Sequence, residues 1–491
     1  MGAMDTAPVP DAPAAYLALK ARDARFDGRL FVGVTSTGVY CRPVCRVRTP
    51  RLENCRFFAT RAQAEAAAFR PCLKCRPEIA PGLSAMDSPA ALAGHAARAI
   101  EHAVHAGQAL ALPALAARLG VTDRHLRRIF GAAHGVAPLA YLTTQRLLLA
   151  KQLLTDTAMP VTQVALASGF GSLRRFNHAF ADHYRLSPTQ LRRAGGAPAG
   201  QGLRLAWRPP LDVEALLGFF ARRQLPGVEQ VEGLVLRRTL AWPAPQGAVA
   251  CWIEARFEPS RHELQLRASD SLAPVLGALM QRVRQAFDLD ADPARVDPVL
   301  ARLPLPARPG HRLPGSFDGF ETAVRVVLGQ QVTVKAAQTL ATRLVDRFGR
   351  PVDTPFAGLN RLFPDAATLA AADPADIGTL GIVRQRVKAL QALAAEVAAG
   401  RLALHPGAPL PATLAALREL PGIGDWTAQV IAMRALGWPD AWPARDIGLI
   451  NALAPHGRTR DAAALASLAE AWRPWRAYAV MRLWHFVETG T

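Results

Sequence analysis

Four cysteines in two tight pairs constrain this chain more than any other feature. Three residues separate Cys41 from Cys45, two separate Cys72 from Cys75, and 26 separate the pairs. A segment of that length can fold back until all four sulfurs meet, and the spacing matches a closed tetrahedral zinc site. In a large chain with none of the marks of a secreted one, paired cysteines argue for metal rather than disulfides. Cys55, between the pairs, fits no ligand position and reads as a packing residue. On spacing alone, a purely structural zinc clamp is the plainer reading. The flanks suggest more: in "TGVYCRPVCRVRTP", residues 37–50, Arg42, Arg46 and Arg48 bracket the first pair and could hold a polyanion beside a thiolate.

A clamp of this size accounts for a small part of 491 residues, half of them hydrophobic. At about 150 residues per domain the chain holds three or four cores. Breaks rich in Gly and Pro at residues 76–89, 192–202 and 303–320 divide it into regions 1–82, 83–195, 200–310 and 311–491. The first mixes short strands with a helix near residues 61–68, and the second is helical by its apolar spacing. In the third, "AVACWIEARFEP" and "HELQLRAS" read as strands and "LAPVLGALMQRVRQAF" as an amphipathic helix. The fourth is alanine-rich and helical. The expected fold class is multidomain and mainly α: a small α+β zinc domain, an all-α domain, then an α+β layer followed by a second all-α domain.

Net charge is +19, and it is unevenly spread: 25 Lys/Arg stand against 12 Asp/Glu in residues 1–195, and 33 against 27 in residues 196–491. Such a surplus suits an anionic polymer or an anionic membrane surface. No apolar run reaches the roughly 18–20 residues that span a bilayer, and the start "MGAMDTAPVPDAP" lacks a basic, then apolar, leader pattern. The expectation is a soluble cytoplasmic protein with no membrane partner.

Two segments in the second region repeat one pattern. In "LPALAARLGVTDRHLRRIF" a helix ends at Gly120 and another begins near Thr122 or Asp123, a suitable N-cap; in "VTQVALASGFGSLRRFNHAF" Gly169 and Gly171 make the break and Ser172 caps. "APLAYLTTQRLLLAKQLLTDT" between them reads as one helix of about 18 residues, roughly 27 Å long. That is close to the approximately 34 Å between successive major grooves on one face of DNA. Either unit alone could belong to an ordinary bundle. As DNA readers, the second helices would present Arg124, His125, Arg127 and Arg128, and Leu173, Arg174, Arg175, Asn177 and His178, with arginine and asparagine able to contact base edges or phosphate.

In the fourth region, "LRELPGIGDWTAQVIAMRALG" reads as helix, tight turn, helix, with Gly422 and Gly424 able to expose backbone N–H groups to a phosphate. Asp446, 22 residues after Gly424, could simply cap the helix starting at Ile447. Six of the nine tryptophans lie from Trp426 onward, which suits an aromatic pocket; Trp438, Trp442, Trp472 and Trp475 read as core.

Residues 30–77, with "YCRPVC" and "FRPCLKC", resemble the N-terminal domain of the Ada family. The resemblance implies that Cys41, Cys45, Cys72 and Cys75 bind Zn(2+) and that Cys41 takes a methyl group from a DNA methylphosphotriester. The repeated helix-turn-helix with "GFGSLRRFNHAFADHYRLSPTQLRR" resembles the AraC family, which implies promoter binding and RNA polymerase as the partner of an activator. "SFDGFETAVRVVLGQQVTVKAAQTLATRLVDRFG", the glycine hairpin, "RDIGLI" and "RPWRAYAVMRLWHF" resemble, in order, helix-hairpin-helix DNA glycosylases of the AlkA type, with residues 200–310 as that family's N-terminal α+β layer. This implies Asp446 as the catalytic carboxylate, Trp426 and Trp484 at the base pocket, Gly422 and Gly424 on phosphate, and Gln331 where AlkA has an apolar wedge. Relatives with lyase activity carry lysine at the position of Trp426, so hydrolysis without strand cleavage is expected. No cysteine follows Cys251, which excludes an iron–sulfur cluster there, and no second Pro-Cys nucleophile motif follows the helix-turn-helix region.

The expected function is therefore a fused alkylation response. Cys41 accepts methyl stoichiometrically and activates sequence-specific binding to double-stranded DNA, while the C-terminal half excises alkylated bases such as 3-methyladenine; the chain acts as a monomer on the bacterial nucleoid. Two alternatives stay open: a zinc-stabilised regulator with inert Cys41 and a C-terminal half that only grips DNA, or a glycosylase for oxidised or deaminated bases.

Overall fold

The computed structural model describes residues 11–22, 30–59, 61–75, 77, 89–105, 107, 110–194, 202–244, 247–453 and 461–490. The expected breaks at residues 82–83 and 195–200 lie outside the described residues. The chain forms two compact units, residues 1–150 with 168–185 and residues 151–167 with 186–491. Among the described residues no helix is long and apolar enough to cross a membrane.

The first region holds helix α1 (Ala12–Ala21), strands β1 (Phe31–Val34), β2 (Val39–Cys41) and β3 (Cys55–Phe58), helix α2 (Arg61–Ala66) and strand β4 (Arg70–Pro71). The sheet order is β3-β1-β2-β4, antiparallel except for the β2–β4 pair. That parallel pair sets Tyr40 opposite Pro71, so the two chains leave the sheet side by side, one as Cys41 and the other as Cys72. Phe31, Tyr40, Ala64 and Phe69 form the small core beneath.

Among the described residues seven helices follow: α3 (Pro89–His105), α4 (Leu112–Arg118), α5 (Asp123–His134), α6 (Pro138–Asp156), α7 (Val161–Ala167), α8 (Leu173–Tyr184) and α9 (Pro188–Ala194). The N-caps are those expected: Thr122 Oγ1 accepts the His125 N–H at 3.2 Å, and Ser172 Oγ accepts the Arg175 N–H at 3.3 Å. Each cap fixes where its helix starts, and thereby which side faces in. On α5 Leu126, Ile129 and Phe130 are buried, and on α8 Phe176 and Phe180.

Among its described residues the third region is a five-stranded antiparallel sheet, order β5-β9-β8-β7-β6, with three α-helices. Its elements are β5 (Leu203–Ala206), α10 (Val213–Ala221), β6 (Glu229–Glu232), β7 (Val235–Trp242), β8 (Val249–Glu258), β9 (Glu263–Ala268), α11 (Leu276–Ala286) and α12 (Pro293–Leu300). On α11, Leu276, Leu279, Met280 and Val283 are buried at helical spacing. Strand β5 lies at the sheet's edge, where outward backbone groups lack a neighbouring strand. The last turn of α6 supplies substitutes: Asp156 Oδ2 accepts the Arg204 N–H at 3.2 Å and Gln152 Nε2 donates to the Arg204 carbonyl at 2.7 Å. The Arg204 guanidinium adds a 3.1 Å bond to Asp156 Oδ1.

The remaining helices are α13 (Gly319–Leu328), α14 (Val334–Phe348), α15 (Ala366–Ala371), α16 (Pro374–Thr379), α17 (Arg384–Ala398), α18 (Leu410–Glu419), α19 (Asp425–Arg434), α20 (Ile447–Leu453), α21 (Ala462–Ala469) and α22 (Arg476–Thr489). Their core contains Val324, Val327, Leu344, Leu390, Leu393 and Ile431. Trp442 and Trp472 are buried as expected, while Trp438 and Trp475 are partly covered.

Candidate metal centre and active site

Cys41, Cys45, Cys72 and Cys75 are all buried, and their Sγ atoms lie within 4.8 Å of one another. A tetrahedral tetrathiolate with metal–sulfur bonds of about 2.3 Å needs sulfur–sulfur edges of about 3.8 Å, so the set fits zinc with little contraction. Its chemistry asks for a cation. Hydrogen bonding to Cys45 and to Cys75, then burial, pushes the Cys41 thiol up, while the same sharing with Cys41 holds Cys45 down. Four crowded sulfurs compete for protons, and a bound dication removes that competition. Cys55 stands apart, its thiol directed to the Arg51 carbonyl at 3.3 Å.

Arg42, expected among the DNA-binding residues, is fully buried: it follows β2 directly, and its N–H points at Cys75 Sγ at 3.5 Å. Arg46 and Arg48 are exposed. On α5, Arg124, Arg127 and Arg128 are exposed, with Arg127 bonded to Asp123 at 2.7 Å and Arg128 near His125 at 3.3 Å. On α8, Leu173, Arg174, Arg175, Asn177 and His178 are exposed.

The C-terminal unit contains a cleft of about 1190 Å³ that Gln331, Gly422, Trp426, Asp446 and Trp484 all line. Asp446 is only 7% exposed. Its Oδ1 accepts the Leu449 N–H at 3.0 Å and the Trp484 indole N–H at 2.9 Å, and its Oδ2 accepts the Trp426 indole N–H at 2.8 Å. It is thus the cap of α20 and also a carboxylate fixed by two half-buried indoles. Trp426 comes from the first turn of α19 and Trp484 from α22, so three helices meet at one side chain.

The hairpin before α19 depends on glycine. Gly422 has φ +77, and a Cβ there would meet Ala389 Cβ at 3.2 Å and the Gln385 carbonyl at 3.5 Å. Gly424 caps α19, whose first-turn N–H groups have no intrahelical acceptor and point outward for an anion. Gln331 lies between α13 and α14 in a left-handed backbone conformation, φ +53, and is exposed at the cleft. For a non-glycine residue that conformation costs about 1 kcal/mol or more, a cost found where a side chain must be aimed.

Several contributors were not legible beforehand. Gln330 Nε2 donates to the Gly422 carbonyl and to Thr427 Oγ1, each at 2.9 Å, and Arg386 donates to the Gln330 carbonyl, which ties the Gln331 turn to the hairpin. Gly448 leaves room for the carboxylate: a Cβ there would meet Asp446 Oδ1 at 2.9 Å and Trp484 Cδ1 at 3.1 Å. A glycine in the first turn of a helix was the available signal. The cleft floor is charged: buried Arg238 bonds Glu229 at 2.9 Å and Glu321 at 2.6 Å, and Arg325 bonds Glu321 at 2.9 Å. Burial pushes the Glu229 carboxyl up and the Arg434 guanidinium down to about 9.

Four family descriptions match the sequence, in chain order: "Metal binding domain of Ada" over residues 14–78, "Helix-turn-helix domain" over 115–194, "AlkA N-terminal domain" over 202–318, and "HhH-GPD superfamily base excision DNA repair protein" over 324–477. Among similar proteins, a "Probable bifunctional transcriptional activator/DNA repair enzyme AlkA" of Mycobacterium tuberculosis is 39% identical over 488 residues, 96% of each chain. DNA-3-methyladenine glycosylase 2 of Escherichia coli is 35% identical over 283 residues, 57% of this chain and 96% of that one. The bifunctional transcriptional activator/DNA repair enzyme Ada of Escherichia coli is 33% identical over 177 residues, 36% of this chain and 47% of that one.

Proposed function

The chain belongs to the family of bifunctional AlkA-type transcriptional activators and DNA repair enzymes, and on that premise we propose that it couples a methyl sensor and DNA-binding activator to an alkylated-base glycosylase. The observation that carries the enzymatic half is Asp446, held by two indole N–H groups and its own helix at a cleft large enough for an extruded nucleotide.

A base alkylated at a ring nitrogen is cationic, so its glycosidic bond is already weak and needs little leaving-group help. The C1′–N bond breaks, its electron pair passes to the base and cancels the positive charge, and the sugar becomes oxocarbenium-like. Asp446 stabilises that developing charge from a fixed position, water oxygen bonds to C1′, and the proton leaves to solvent. With their N–H groups occupied by the carboxylate, Trp426 and Trp484 offer the cationic base their π systems. Gln331 fills the space the base vacates, and the Gly422–Gly424 turn grips phosphate. No lysine faces Asp446 from the position of Trp426, which favours simple hydrolysis of 3-methyladenine and related lesions.

Zn(2+) is the cofactor of the N-terminal centre, held by Cys41, Cys45, Cys72 and Cys75; when bound, it keeps these sulfurs as thiolates at neutral pH. Cys41 Sγ bonds to the methyl carbon of a methylphosphotriester as the C–O bond breaks, and the electron pair stays on oxygen as a phosphodiester anion. The thioether has no leaving route, so each chain reacts once. Loss of one negative charge beside Arg46 and Arg48 strengthens the grip on DNA phosphate, and Arg124, Arg127, Arg128, Arg174, Arg175 and Asn177 engage the promoter. RNA polymerase is the partner of this activator, which acts as a monomer on the bacterial nucleoid.

One experiment tests both halves: purified chain is incubated with methylated duplex DNA, released bases are separated by chromatography, and the protein is weighed by mass spectrometry. Wild type releases 3-methyladenine and gains one methyl on Cys41. Asp446→Asn loses at least about a hundredfold in release yet still gains the methyl. Release at the wild-type rate in that variant overturns the carboxylate assignment, and an unmodified Cys41 overturns the sensor.

A further inference from the structure

Six arginines line the cleft: Arg223, Arg238, Arg325, Arg386, Arg434 and Arg445. Five are committed. Arg223 pairs with Glu488, Arg238 with Glu229 and Glu321, Arg325 with Glu321, Arg386 with the Gln330 carbonyl, and Arg434 with the Pro314 and Gly315 carbonyls. Among the described residues, Arg445 alone of the six has no hydrogen-bond or ion-pair partner in the protein. Its neighbour Asp446 is held on the other side of the chain by Trp426, Trp484 and the Leu449 N–H. The chain alternates here: Arg445 and Ile447 are exposed and Asp446 is buried between them.

We infer that Arg445 clamps the phosphodiester that flanks the extruded nucleotide and so holds the sugar over Asp446. The reading rests on the cleft being the base-release site. In DNA every C1′ is one deoxyribose away from two phosphates. A sugar presented to Asp446 therefore brings an anion next to the adjacent residue, whatever the base. A free guanidinium in a cleft where arginines already outnumber carboxylates is electrostatically unfavourable until it meets such an anion. Its planar fork suits two phosphate oxygens at once and sets an orientation as well as an attraction. Arg445 thus positions substrate in a lesion-independent way, and the base pocket is left to choose the lesion.

Single-turnover release from a methylated duplex by the full chain reports productive complexes alone, so the enzyme concentration giving half-maximal rate is measured over a salt series. One lost phosphate contact lowers the slope of its logarithm against the logarithm of salt by about 1. Arg445→Ala is expected to show that loss of slope and about a tenfold weaker half-saturation at low salt. Arg445→Lys is expected to regain the slope without the full maximal rate, since it keeps the charge and loses the fork. Arg401→Ala, an exposed arginine paired with Glu396 and outside the cleft lining, is expected to match wild type. An Arg445→Ala slope equal to wild type overturns the inference, as does a lysine variant no better than alanine. A wild-type chain that releases no base from methylated DNA fails earlier, and takes the enzymatic reading down together with this one.

Discussion

Asp446 accepts three N–H bonds on two oxygens, and a missing side chain two residues later makes that possible. Gly448 sits in the first turn of α20, where alanine would ordinarily stabilise a helix by roughly 0.5–1 kcal/mol. Here a Cβ would press on Asp446 Oδ1 at 2.9 Å, and that oxygen cannot retreat without giving up Leu449 or Trp484. Gly448→Ala is therefore expected to lower base release by about tenfold with helix content unchanged by circular dichroism; full activity in the alanine variant would mean that the three-bond geometry is not what release requires. The residue was readable in "RDIGLI", but its reason was not, because the contact with Trp484 crosses 36 positions of chain. Arg42 is the opposite case. Its charge was legible and its burial was not, since burial is decided by where the end of β2 points.

Whole elements were read best where their signals are local. Thr122 and Ser172 cap α5 and α8 as expected because a cap needs only the following three residues. The Gln330–Gln331 turn was opaque because its anchors, Gly422 and Thr427, lie over ninety residues away. The junction between α11 and α22 is another such case. Asp288, just past α11, accepts the Tyr478 hydroxyl from α22 at 2.7 Å and the Leu313 N–H at 3.1 Å, both on Oδ2, and burial pushes its carboxyl up to about 6. An unfolded aspartate titrates near 3.9, so the folded state binds more protons between the two values. Stability therefore falls as pH rises from about 4 to about 6 and stays lower above. Asp288→Asn keeps an oxygen for both donors and removes the buried charge. Its melting temperature is expected to exceed that of wild type by a margin that grows from pH 5 to pH 7, reflecting on the order of 1–2 kcal/mol. A margin constant across that range would place the effect elsewhere than in the titration of this carboxyl.

At the scale of the molecule, the charge surplus of residues 1–195 and the Gly- and Pro-rich breaks suggest separate regions along the chain, and composition can suggest that much because it needs no contacts. It could not say that a helix of the second region finishes a sheet of the third. Asp156, at the end of α6, is 6% exposed and takes both the N–H and the guanidinium of Arg204, while Gln152 feeds the Arg204 carbonyl. These bonds do for β5 what a sixth strand would do, and they close an edge otherwise open to pairing. A hydrogen bond to a charged group contributes roughly 1.5–3 kcal/mol, so the clasp is strong locally and small beside the stability of the whole unit. Asp156→Ala should thus leave the fold intact and loosen one strand: amide hydrogen exchange in Leu203–Ala206 is expected to accelerate by tenfold or more, while Ile431 and Leu449, whose helices hold the cleft, keep their protection. Exchange in β5 at the wild-type rate would mean that pairing with β9 alone secures the edge, and that α6 ends against the sheet without holding it.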